Sequence, residues 1–237
     1  MSPSSTFRLL LSIDTCGPSG SVALGRVPGR DVEILGQIEL AGRTYSATLV
    51  SAIAELLKNA GAKLDDLDGI IVVNGPGSFT GVRVGVSAVK GLAEGRNFPV
   101  VALSRLEVLS RKSGTPSAAL DAHRGEVYLR SERVGEAPAE MLAGAEELAK
   151  IIPPPLRVAV CDDGAAEALA AAWTRTQLVR TEAPMAADAI RPGEARLIAG
   201  ATVDPAILDG HYLRRSDAEI FGNDVVRQAA SAAKQKQ

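Results

Sequence analysis

Two aspartates close short apolar runs and open turns: Leu10-Leu-Ser-Ile-Asp14 leads into Thr15, Ser19 and Ser21, and Ser117-Ala-Ala-Leu-Asp121 leads into His123 and Arg124. A carboxylate held at the mouth of a strand hairpin can organise a metal ion or a water beside a phosphate. It can equally accept backbone N–H bonds and shape its own turn. A phosphate hairpin needs glycines that let backbone N–H groups approach the anion, and the second turn offers only Gly125. A third chemistry-bearing stretch is Gly75-Pro-Gly-Ser-Phe-Thr-Gly81. It is no Walker A loop, because no Gly-Lys-Ser/Thr follows, and its third glycine is misplaced for a dinucleotide turn. Either it presents free N–H groups to an anion at a helix start, or Ser78 or Thr80 caps that helix. The two histidines, His123 and His211, form neither a close pair nor an HExxH pattern, and there is no GxSxG elbow.

Strand-like runs at 8–15, 20–27 and 32–40 precede a helix over about 44–60, in which Leu49, Ile53, Leu56 and Leu57 keep helical spacing and Gly61 stops the chain. A strand at 69–73, a helix opened by Ser78-Phe-Thr-Gly81 and a strand at 99–103 complete a first βββαβα unit. The second half starts in the same way. Strands are predicted at 117–121 and 126–134, a helix at 143–152, a strand at 157–160, a helix at 164–173, a short strand at 177–179 and a helix at 191–200. Two such units, each with an aspartate at its first hairpin, suggest an α/β protein with the duplicated two-lobed architecture of the actin, Hsp70 and sugar-kinase (ASKHA) superfamily. In that superfamily the two hairpins flank a nucleotide cleft. The expected lobes are 1–104 and 105–237, meeting between Leu103 and Pro116.

The 237 residues are 46% hydrophobic and carry a formal charge of −2, so no global positive field draws the chain to nucleic acid or an anionic membrane. Cys16 and Cys161 stand alone, without a CxxC context, and read as reduced thiols of a cytoplasmic protein. Met1 to Thr6 reads as a polar tail, the apolar run after it is too short for a leader or a membrane span, and Ala229 to Gln237 reads as a fraying helix or solvated tail.

The second helix has one narrow polar stripe, Arg83, Ser87, Lys90 and Glu94, and its remaining faces are apolar or tiny. Interior glycines at 85 and 91 each cost about 1 kcal/mol against alanine, which close approach of another backbone would offset. The pattern implies a protein that docks.

Gly75-Pro-Gly-Ser-Phe-Thr-Gly-Val-Arg83 with Gly85 resembles the TsaB (YeaZ) family, the dimerisation subunit of the bacterial tRNA threonylcarbamoyladenosine machinery. Ile13-Asp-Thr15 with Ser21-Val-Ala-Leu24, Asp121-Ala122 with Gly125-Glu-Val-Tyr128, and Tyr212-Leu-Arg214 with Ser216-Asp-Ala-Glu219 are similar to further motifs of that family, in the same order. The chain departs from the pattern at Tyr45, where a histidine is usual, and at His123, where an arginine is. The resemblance implies a catalytically degenerate relative of TsaD, the enzyme that transfers threonylcarbamoyl to an adenosine beside the anticodon. It implies pairing with a TsaD-like paralogue through the first two helices of each chain, addition of a TsaE-like ATPase, and a homodimer when the paralogue is absent. No cofactor is expected in the isolated subunit, since ATP and metal would be handled by the partners, and tRNA would be met only indirectly. The close-contact positions so implied are Gly81, Gly85, Ala88, Leu92 and Gly95, with Leu49 and Ile53 beside them or in the core. Asp14, Thr15 and Asp121 are candidates for a degenerate cleft. An independent ATPase or phosphotransferase using Asp14 and Asp121 is the alternative, and a free-standing glycoprotease-like peptidase lacks both nucleophile geometry and metal ligands.

Overall fold

Ile70 to Val73 offer no polar side chain to water, and in the computed structural model they form the buried centre of a sheet. The structure describes residues 9–29, 31–42, 44–132 and 135–214. Arg43, the Ser216-Asp-Ala-Glu219 motif and both predicted tails lie outside them. The first sheet has the order β3-β2-β1-β4-β5, from β1 (Leu10–Asp14), β2 (Gly20–Arg26), β3 (Glu33–Leu40), β4 (Gly69–Val73) and β5 (Val100–Leu103). The first three strands form an antiparallel meander, and β4 and β5 run parallel to β1. Every residue of β1 and β4 is buried, as strands covered on both faces require.

The helices α1 (Tyr45–Asn59) and α2 (Phe79–Glu94) follow β3 and β4. Leu49, Ala52, Ile53, Leu56 and Leu57 bury the inner stripe of α1, and Val82, Val86, Val89 and Ala93 that of α2. Each valine so buried contributes about 1.5–3 kcal/mol. Ser78 caps α2, its Oγ accepting the Gly81 N–H at 3.3 Å.

The second sheet repeats the first. After α3 (Arg105–Ser113) come β6 (Ser117–Asp121), β7 (Val127–Ser131), β8 (Ala139–Ala143), α4 (Ala145–Lys150), β9 (Arg157–Val160), α5 (Asp163–Ala172) and β10 (Gln177–Arg180). Its order, β10-β9-β6-β7-β8, is that of the first sheet read from the other edge, with β9 parallel to β6 and β7 antiparallel to it. Leu106 and Leu109 of α3 pack on Ala118 and Leu120, and α5 packs with Ala119, the residue that alternates to the opposite face.

Three features differ from the expected arrangement. The stretch read as a lobe junction contains α3, which Ser104 caps by accepting the Leu106 N–H and which Gly114 stops at φ +62°. An unpredicted edge strand, β8, precedes the predicted 143–152 helix, which is present as α4 at Ala145–Lys150. The chain after β10 also leaves the second lobe: Ala186, Ala189, Ile190, Leu197 and Leu208 join the first lobe's core. There α6 (Ile190–Ile198) covers the sheet face opposite α2, with Ile71 so close to Gly193 that a Cβ on that glycine would lie 2.4 Å from it. The returning chain then crosses the mouth of the glycine-rich loop, where His211 N–H donates to Asn74 O at 2.7 Å and Tyr212 stacks on Phe79 at 4.3 Å.

The two kinds of glycine in α2 predict opposite outcomes in urea unfolding. A Cβ at Gly81 would lie 2.0 Å from the Thr15 carbonyl oxygen, so Gly81→Val is expected to cost about 1–3 kcal/mol. Gly91 has open space around it, so Gly91→Ala is expected to add about 0.5–1 kcal/mol.

Candidate functional site

The first hairpin is closed from within. Asp14 Oδ1 accepts the Cys16 N–H at 2.8 Å, the turn-shaping bond, and Oδ2 faces Arg105 Nε at 3.4 Å. Both side chains are buried, at 3% and 8% exposure. Arg105 is the first residue of α3, and its backbone N–H donates to Gly75 O at 2.6 Å. Its guanidinium lies against the hairpin backbone so closely that a Cβ on Gly17 would fall 2.5 Å from Nη2. Tyr45 braces the same hairpin: its hydroxyl donates to Gly17 O at 2.8 Å, and its ring sits against Gly20. Burial, then the Asp14 charge, push both the Tyr45 phenol and the Cys16 thiol up. Burial likewise raises the Cys161 thiol to about 11, so neither cysteine is a thiolate nucleophile at neutral pH.

Several N–H groups at the start of α2 have partners within the chain as well. Ser78 N–H donates to Cys16 O at 2.8 Å and Val82 N–H to Ser78 O at 2.9 Å. With Gly81 N–H held by Ser78 Oγ, the loop takes the capping role of its two readings.

Asp121 makes the equivalent local bonds in the second hairpin. Oδ1 accepts the His123 N–H at 2.7 Å, and Oδ2 lies 2.9 Å from His123 Nδ1 on an exposed ring. His123, Arg124 and Gly125 all have positive φ, a conformation that the Asp121 bond helps to hold and that only the glycine adopts without strain. Among the described residues no group of three or more His, Cys, Asp or Glu could hold a metal ion, and no helix is long and apolar enough to cross a membrane.

A polar cluster joins the two lobes at Glu140, on β8. Its carboxylate accepts from Ser104 Oγ at 2.6 Å and Arg130 Nη1 at 2.9 Å, and it bonds His211 Nε2 at 2.8 Å. Ser104 and His211 share the same oxygen, Oε2, so the histidine does not stand between hydroxyl and acid as a nucleophilic relay requires.

The outward surface of the first lobe is a groove between α1 and α2, about 420 Å³, walled by Tyr45, Val50, Val84, Ser87 and Ala88 among others. Val50 is 68% exposed. Of the seven predicted contact positions, Leu49 and Ala88 line this groove, Leu49 as a buried residue at its floor. Ile53 lies in the first lobe's core. Gly81 and Gly85 face β1, where Thr15 Oγ1 donates to Gly81 O at 2.6 Å and a Cβ on Gly85 would lie 2.5 Å from that same Oγ1. What approaches these glycines is the chain's own Thr15, by its carbonyl at Gly81 and its hydroxyl at Gly85. Ala88 and Leu92 are half-buried at the edge of the core, and Gly95 is the exposed C-cap of α2. Sequence reasoning missed Val50 and Arg105. Val50 follows Leu49 outside the apolar stripe of α1, which marks it as surface, and Arg105 belongs to a Ser104-x-x-Glu107 helix-start pattern.

Comparison with known proteins follows the same outline. The family model described as TsaD, tRNA N6-adenosine threonylcarbamoyltransferase, matches residues 35–171. The tRNA threonylcarbamoyladenosine biosynthesis protein TsaB of Escherichia coli (strain K12) is 35% identical over 125 residues, 50% of this chain and 52% of that protein. The chain thus spans about half the length of the curated relatives it matches. A crystal structure of a Pseudomonas aeruginosa protein described by its similarity to peptidase YEAZ superposes with a TM-score of 0.72 at 27% identity, covering 87% of this chain and all of that one. The (R)-2-hydroxyglutaryl-CoA dehydratase component A of Acidaminococcus fermentans, at 12% identity, shares the fold with a TM-score of 0.52, covering 81% of this chain and 99% of that one.

Burial alone would raise the Glu140 carboxyl, but the bonds from His211, Ser104 and Arg130 outweigh it and hold the group below its ordinary value of 4.5. A carboxyl depressed in the folded state contributes stability above its unfolded value and loses it as pH falls through the folded one. The urea midpoint is therefore expected to drop as pH is lowered from about 5 toward 3, and Glu140→Gln is expected to flatten part of that slope.

Proposed function

Because this chain belongs to the TsaD family by its matched region and to the TsaB (YeaZ) branch of it by its relatives, we propose that it serves tRNA threonylcarbamoyladenosine biosynthesis as a non-catalytic partner subunit. The partner is a TsaD-like threonylcarbamoyltransferase, and the α1/α2 groove is the face that receives it. The observation that carries this reading is the outward surface of those two helices. Val50, Val84, Ser87 and Ala88 present small or apolar groups there beside Arg83, on elements whose inner faces are already packed. Small side chains let a second helix pair come close, and an interface of ordinary size would bury about 1,600 Å² in total. A TsaE-like ATPase joins the assembly, and a second copy covers the groove when the transferase is absent.

The first hairpin supports a non-catalytic role. Asp14 is engaged by Arg105 and by the Cys16 N–H, which leaves its carboxylate poorly placed to organise a magnesium ion. That geometry counts against the alternative, an independent ATPase or phosphotransferase working through Asp14 and Asp121. ATP and metal are then the business of the partner subunits, and the two lobes serve to hold the docking helices rather than to close on a substrate.

Val50→Glu and Ser87→Arg place charge on the groove without touching the core. Each is expected to weaken co-elution with the transferase subunit by about tenfold or more, with a matching loss of modification in the reconstituted system and an unchanged melting temperature. Wild-type co-elution by both variants would show that another face does the docking.

A further inference from the structure

A cleft of about 910 Å³ lies where α3, α6 and the end of β7 meet, and none of its lining residues belongs to either aspartate hairpin. Its walls carry Arg111, Lys112, Arg130, Arg191 and Arg196 against two carboxylates, Glu107 and Asp188. A smaller recess of about 370 Å³ shares Glu107, Arg130 and Arg196 with it and reaches the Glu140 cluster. In a chain of net charge −2, five cations around one cleft are a local reversal of sign.

Ion pairs and carbonyl bonds hold these cations in position. Lys112 Nζ meets Asp188 at 2.9 Å and donates to Ala183 O at 3.1 Å, and Arg191 lies 3.8 Å from Glu194. Arg196 donates to Ala102 O and to Glu107. Arg130 gives Nη1 to Glu140, yet its Nε is buried without a partner on a side chain only 10% exposed. A buried N–H left without an acceptor is unfavourable. Arg111 is exposed and makes no side-chain hydrogen bond or ion pair among the described residues.

We propose that this interlobe cleft binds a small polyphosphate-bearing anion, such as a nucleoside diphosphate, through Arg111, Arg196 and Arg130. Guanidinium forks on opposing walls match the several oxygens of a polyphosphate, which a single carboxylate would leave largely unpaired. The volume suits a ligand of nucleotide size. Because α3 and β7 belong to the second lobe and α6 packs on the first, an occupant would touch both lobes at once. The site is separate from the docking groove and stands whether or not that groove receives a transferase.

The test is calorimetric titration of the purified chain with tripolyphosphate and with ADP at low salt. Saturable binding of either probe is expected. It should weaken about fivefold in Arg111→Ala, a change that leaves every described ion pair intact. Saturable binding should disappear in Arg111→Ala combined with Arg196→Ala, and stay unchanged in Arg124→Ala at the second hairpin. Melting curves confirm that each variant is folded. Absence of saturable heat with both probes, equal affinity of wild type and Arg111→Ala, or loss of binding in Arg124→Ala alone would each overturn the proposal. An oligoribonucleotide that binds where neither small probe does would overturn it as well.

Discussion

An ion pair buried between the lobes, Asp14 with Arg105, decides what the first hairpin can do. Two charges removed from water must be matched closely, and losing one partner of such a pair typically costs about 3–5 kcal/mol. The match here is supplied by three parts of the chain at once. The turn after β1 presents the carboxylate, the start of α3 presents the guanidinium, and Gly17 leaves room for it. Tyr45 then seals the hairpin from the side of α1. The space at this hairpin is thereby filled from inside by a side chain.

The same end of β1 orients α2. Thr15 sits against Gly81 and Gly85, so the glycines of this helix are spent on an internal approach that any Cβ would block. With the inner face committed to β1 and β4, and one flank to the returning chain at Ala206 and Tyr212, the face left to the outside is the one beside α1. The filled hairpin and the outward α1/α2 face are thus two consequences of one arrangement. The interlobe contacts at Glu140 and at the Arg196–Glu107 pair add a second tie between the halves.

Much of this was legible in the residues and some of it was not. Short apolar runs placed β4, β6 and β9, and period-3.6 patterns placed α1 and α2, because those elements bury a whole run or stripe and their sequence must show it. The duplication was readable from two aspartate hairpins in equivalent places. The strand β8 was not, since Ala139-Glu-Met-Leu-Ala143 has little strand propensity of its own and takes that form from its register with β7. The helix α3 was missed although Ser104 and Glu107 mark its start. Gly81 and Gly85 were understood as sites of close approach, but spacing alone cannot say whether the approaching backbone is foreign or the chain's own. Charge partners 91 residues apart, such as Asp14 and Arg105, leave no local trace at all.

The most direct test of the account is a double-mutant cycle on that pair, with Asp14→Asn, Arg105→Met and the combined variant compared by urea unfolding. The account predicts a coupling energy of about 2 kcal/mol or more, with the double variant less destabilised than the sum of the single changes. Additive effects, together with Mg-ATP binding that Asp14→Asn abolishes, would contradict it.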